Sequence, residues 1–161
     1  MAFVNGARAY LEAAVRLTPE GTSADHVSLN LDPVYFLYLH AAELALKGYV
    51  RGHGRIAPNR RHSGHQLAAL LTDCEDLGLG KNADVRRARH NVVYLLGHAN
   101  KNQGLRYFTL ESQNYPSLAW TRKVIGGLVR EVSTTLAKLD PSPGKLPAAK
   151  VNLIVGEPGE R

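Results

Sequence analysis

The chain has 161 residues, 44% hydrophobic and 21% charged, which is enough for one domain with a full buried core. No uninterrupted apolar run approaches the roughly 18–20 residues that a bilayer demands, so no membrane association is expected. One cysteine, Cys74, excludes an intramolecular disulfide framework, and the opening MAFVNGARAYLEAAVRL lacks the pattern of a signal peptide, so a cytoplasmic protein is expected.

Apolar residues recur at three- and four-residue steps from Phe3 to Leu17, which predicts an amphipathic helix over residues 2–17 that ends at Thr18-Pro19. After a polar connection, with Ser28–Leu31 read as extended, comes DPVYFLYLHAAELALKGYVR, residues 32–51. Asp32 suits an N-cap and Pro33 the first helical position. Apolar side chains then cover nearly the whole circumference, the mark of a core helix around which the rest must pack. Glu43 precedes Lys47 by four residues, the favourable spacing for an ion pair. Gly48 costs about 1 kcal/mol relative to alanine in a helix, which implies that another backbone comes close there.

A basic loop, HGRIAPNRRHSGH, leads to a short helix over 66–77 with Leu67, Leu70, Leu71 and Cys74 inward and Asp73, Glu75 and Asp76 outward. Asn82 caps a helix over 83–99 whose apolar positions are Val85, Ala88, Val92, Leu95, Leu96 and Ala99, with Arg86, Arg87, Arg89 and His90 directed elsewhere. Ser117 or Pro116 opens a last helix to about Leu139 with a stripe from Leu118 to Leu139, and Gly126-Gly127 in its middle reads as a close helix contact or a bend. The tail, 140–161, holds four prolines and is expected to be mostly disordered, apart from the short apolar run Val151–Val155. The expected architecture is an all-α bundle of about five helices over residues 1–139, followed by that Pro/Gly-rich tail.

The net charge of +6 is unevenly placed: residues 47–106 carry 11 basic and 4 acidic residues, against 2 and 5 in residues 1–46. A basic middle third attracts polyanions, and Arg55, Arg60, Arg61, Arg86, Arg87 and Arg106 are the candidate contacts for RNA or a nucleotide.

The order of these segments resembles the bacterial HEPN-domain family. The matching residues are Glu43, Lys47 and Tyr49 on the central helix, Gly64, His65, Leu67 and Leu70 at the next helix start, and Arg106-Tyr107 further on. The resemblance covers about residues 33–135. It implies a HEPN-like helical bundle, often a homodimer, in toxin–antitoxin, defence or stress-related RNA systems. Many active relatives are metal-independent ribonucleases with an Arg-x(4–6)-His motif, whose imidazole works as acid or base while the guanidinium holds phosphate. Two formal matches exist here, Arg60-x4-His65 and Arg55-x6-His62, but composition alone yields about 1.7. Both fall in the basic loop, earlier than the family's motif. The reading is therefore a non-catalytic HEPN-like domain that binds RNA, a nucleotide or an antitoxin-like protein partner. A metal-independent ribonuclease using Arg60 and His65 is the alternative, and a structural or interaction subunit the second.

His90, Tyr94 and His98 share one helix face, either a phosphate-facing strip or a solvated edge. His62 and His65 share one loop with His53 close by, but no Cys pair or second His/Cys cluster supports a metal site, and no glycine-rich phosphate loop suggests a cofactor. Cys74 sits at a core-compatible position and has no nucleophile-like neighbours in the sequence.

Overall fold

The computed structural model describes residues 2–18, 31–55, 66–100, 105 and 115–139. Its elements are α1 (Ala2–Leu17), α2 (Asp32–Gly52), α3 (Gln66–Asp76), α4 (Ala83–Ala99) and α5 (Leu118–Leu139), with no strand among the described residues. The expected Ser28–Leu31 extension lies outside them except for Leu31, whose backbone is helical. The tail from 140 lies outside them altogether.

The all-round apolar pattern of α2 translates directly into position. It packs against each of the other four helices, α1 packs also on α5, α3 on α4, and α4 on α5. Eleven of its residues, from Val34 to Val50, are buried, among them Tyr35, Tyr38 and Tyr49. A buried phenol needs a partner for its hydroxyl. Tyr35 donates to Pro116 O (2.7 Å), Tyr49 donates to Leu77 O (3.3 Å), and Tyr38 Oη lies 3.1 Å from Thr18 Oγ1. The three hydroxyls thereby tie α2 to the entrance of α5, the exit of α3 and the exit of α1.

Gly48 meets the expected close approach. A Cβ there would lie 3.1 Å from Phe3 Cβ and 3.4 Å from Val4 Cγ2 of α1. Gly6 answers from the other side, since its Cβ would sit 3.1 Å from Leu44 Cδ1. The helix-propensity cost of the two glycines is set against a closer α1–α2 crossing.

Several expectations are corrected. Leu31, not Asp32, takes the N-cap position of α2. Asp32 is instead the first helical residue, and its carboxylate accepts from the Tyr115 hydroxyl, whose ring stacks on Tyr35 at 4.3 Å. Glu75 and Arg89, both assigned outward, point inward. The Glu75 side chain is 6% exposed and Arg89 is 2% exposed. Val85 and Leu139, assigned to buried stripes, are 40% and 52% exposed because each lies within a turn of its helix's end. Among the described residues no neighbour comes within 4 Å of a Cβ at Gly127, and at Gly126 Arg130 Nη1 does, at 3.7 Å, so none of the other described helices uses the pair for close contact. The Asn82 cap is as expected, its Oδ1 accepting from Asp84 N (2.9 Å) and Val85 N (3.1 Å).

Tyr35→Phe keeps the ring and strands the buried Pro116 carbonyl. Its expected cost is about 1–2 kcal/mol, seen as a lower urea midpoint at unchanged slope.

Candidate nucleic-acid interface

α4 is held in one rotational setting by two charge clusters, one on each side of the α3–α4 turn. That turn runs through Gly78 and Gly80, both at positive φ (97° and 69°), backbone that glycine adopts without strain. On one side, Arg89 reaches inward from α4 and pairs with Glu131 of α5 at 2.6 Å, while the other Glu131 oxygen accepts from Gly80 N–H at 2.8 Å. A Cβ at Gly80 would lie 2.8 Å from Arg89 Nη1, so the glycine also clears space for the guanidinium. Burial opposes ionisation of Glu131, but the bonds from Arg89 and Gly80 outweigh it and lower its pKa. The pair is buried on one side only, since the Arg89 side chain is 3% exposed and that of Glu131 37%, so removing Glu131 leaves a buried guanidinium without its carboxylate.

On the other side, Glu75 Oε2 lies 3.0 Å from His90 Nε2 and 3.5 Å from Arg86 Nε. Arg and His side chains thus converge on a buried carboxylate, in an Arg-x3-His spacing that falls one residue short of the motif weighed in the sequence. The arrangement orients the imbalanced edge of α4: Arg86 and His90 turn toward α3, away from the helix's outer arc.

That outer arc carries Arg87, Asn91, Tyr94 and His98 at steps of four, three and four, all exposed. Tyr94 is 67% exposed, and its ring lies 6.3 Å from that of His98 with planes 17° apart. Arg87 is 3.4 Å from Asp84, with both side chains more than three-quarters exposed. An exposed pair of that kind contributes at most about 0.5 kcal/mol, so Arg87 remains available to an incoming anion.

Of the residues singled out in the sequence, Arg55, Arg86 and Arg87 are exposed. Arg55 lies just past α2, its N–H donating to Val50 O. Arg60, Arg61, Gly64, His65, Arg106 and Tyr107 lie outside the described residues, as does His62. Glu43 and Lys47 form the expected ion pair, and His40 Nδ1 lies 3.5 Å from the other Glu43 oxygen. Tyr49 is a packing residue. Among the described residues no group of three His, Cys, Asp or Glu side chains could hold a metal, and no helix is long and apolar enough to cross a membrane. Grooves of about 530 Å³ between α1 and α5, and about 280 Å³ where Phe3 and Gly48 meet Leu136, do not include Arg86, His90 or Tyr94. Comparison with protein-family models, curated proteins and solved structures found no significant match.

Arg89 and Glu75 were missed as inward groups, although one signal for Arg89 was present. Val85, Arg89, Val92 and Leu96 keep four-, three- and four-residue steps, so the arginine stands in the register of the apolar stripe.

Two chemical predictions follow from the buried groups. Burial and the nearby Asp73 and Glu75 push the Cys74 thiol up to about 12, so it is no nucleophile in the folded chain. Thiol reagents at pH 8 should modify it only under unfolding conditions. Burial disfavours the Glu43 carboxylate, but hydrogen bonds and charge from His40 and Lys47 overcome this and bring its pKa from 4.5 to about 2. The ionised group therefore stabilises the fold fully above pH 4.5, and that contribution is lost as the pH falls through about 2. Glu43→Gln should flatten the acid limb of stability against pH, read by denaturant titration at each pH.

Proposed function

We propose that the chain is a non-catalytic HEPN-like helical domain that binds RNA, with the outer side of α4 as part of its contact surface. The observation that carries this reading is the composition of that arc: an exposed arginine, two ring side chains and an asparagine, with Asp84 as the acidic residue at its N-terminal end. Arg86, half exposed at the flank, adds a second guanidinium, and Arg55 a third on another part of the surface. Backbone phosphates supply the attraction, as they do in most nucleic-acid binding. The absence of cleavage is supported by the engagement of His90 with Glu75 at 3.0 Å, which commits the imidazole to a structural carboxylate, while Arg86 touches the same carboxylate through Nε at 3.5 Å and keeps a half-exposed guanidinium. The homodimer and a toxin–antitoxin or defence context belong to this reading through the resemblance alone, and the cytoplasmic setting through the single cysteine.

The test is binding of a labelled RNA across a salt series. Affinity should fall with salt, each neutralised phosphate contributing a slope of about −0.7 on a single strand. Arg86→Gln with Arg87→Gln should reduce that slope by about 1.4, and RNA should stay intact in EDTA. Cleavage that persists in EDTA and is abolished by His65→Ala would establish the ribonuclease alternative instead. No binding at any salt would leave the interaction-subunit reading.

A further inference from the structure

The α4 arc holds more than charge. Tyr94, 67% exposed, is the most exposed of the large apolar or aromatic side chains among the described residues. A solvent-exposed phenol on a helix surface gains nothing from burial, and its hydroxyl needs no exposed ring to support it. It does not stand alone: His98, one turn further along, presents a second planar ring tilted by 17° from the first. The arc around them is poor in aliphatic side chains. Val92, Val93 and Leu96 of α4 face the core, half-buried Leu95 borders the arc beside Asn91, and Val85 lies on the opposite side of the helix from Tyr94, so one leucine at the edge is the aliphatic part of a patch that is otherwise polar and aromatic. Arg87 and Asn91 occupy the same arc, and Arg86 its flank.

Two nearly parallel rings beside guanidinium groups form the combination that receives unpaired bases while their phosphates are neutralised. We propose that Tyr94 and His98 are a stacking platform for successive bases of single-stranded RNA. The inference rests on the RNA-binding reading above and narrows it to unpaired substrate, because bases within a duplex already stack on one another and offer no free face to a side chain. Stacking of this kind tolerates any base, so the platform confers a preference for single strands without a fixed sequence. The Glu75 contacts to His90 and Arg86 turn those two side chains toward α3 and leave Tyr94 and His98 clear.

The experiment uses the full chain and fluorescence anisotropy with three labelled probes of equal length: single-stranded RNA, the corresponding duplex, and an abasic ribose-phosphate strand. The single strand should bind more tightly than either of the others. Tyr94→Ala should weaken single-strand binding by about tenfold, within the range for losing one stacked base, while leaving the salt slope and duplex affinity unchanged. Tyr94→Phe should restore it, since the ring and not the hydroxyl makes the contact. Because Tyr94 is exposed and alanine favours helix, the alanine variant should melt as the parent does. If Tyr94→Ala binds the single strand as tightly as the parent, or if the abasic strand binds equally well, the platform is wrong. RNA binding itself still stands in that event, provided Arg86→Gln with Arg87→Gln lowers the salt slope. If Tyr94→Ala alters the sedimentation of the RNA-free protein and not its RNA affinity, the arc is a contact between chains and the proposal is overturned. If the parent binds none of the three probes, both this proposal and the reading beneath it fall.

Discussion

The structure depends on burying one helix on nearly all sides. α2 brings three tyrosines into the core, and each must find a hydrogen-bond partner for its hydroxyl without water. Those partners lie at the ends of other elements: Thr18 after α1, Leu77 after α3 and Pro116 before α5. Connections, rather than helix midpoints, are therefore fixed to the central post. The apolar bodies of the tyrosines supply the larger energy, about 25 cal/mol for each Å² removed from water. Their hydroxyls contribute less and decide more, because a stranded polar group costs about 1–3 kcal/mol and so penalises other arrangements of the same helices.

A second layer of constraint is electrostatic and lies around α4. The Arg89–Glu131 pair crosses from α4 to α5, and Gly80 contributes both an N–H and the space its missing side chain leaves. Burying an arginine costs several kcal/mol before its partner returns anything, so the pair contributes little net stability over an apolar pair of similar volume. It acts as a rotational key. With Arg89 directed inward and Arg86 and His90 drawn to Glu75, Arg87, Asn91, Tyr94 and His98 are left to face water. The candidate interface is the remainder of α4 after its structural contacts have been made.

The same geometry separates the histidines by role. His53 lies over Tyr49 at the end of α2, with Nδ1 2.9 Å from Tyr49 O, and His40 packs against Tyr10 and Phe36 while leaning on Glu43. His90 belongs to the α3–α4 contact. His98, exposed beside Tyr94, is the described histidine with an open ring face. Residue type alone could not distinguish these, since all four sit on or next to helices in a polar-looking context.

What the sequence determined was the set of helices and the apolar part of their inner faces away from the helix ends. Period, caps and breakers are local: Asn82 caps where its side chain reaches two N–H groups, and the close approach at Gly48 follows from a glycine placed where a helix pays for it. The position of α2 was equally legible, because a helix apolar on every side has only the interior to go to. The tertiary structure alone decided the fate of the charged residues. Arg86, Arg87 and Arg89 are near neighbours in the chain, yet one leans on Glu75, one faces solvent and one is buried against Glu131, 42 residues away. A charge is tolerated inside only where a partner from another element meets it, and the sequence does not say which elements meet. The outer arc of α4 was therefore legible as a list of residues and not as a surface.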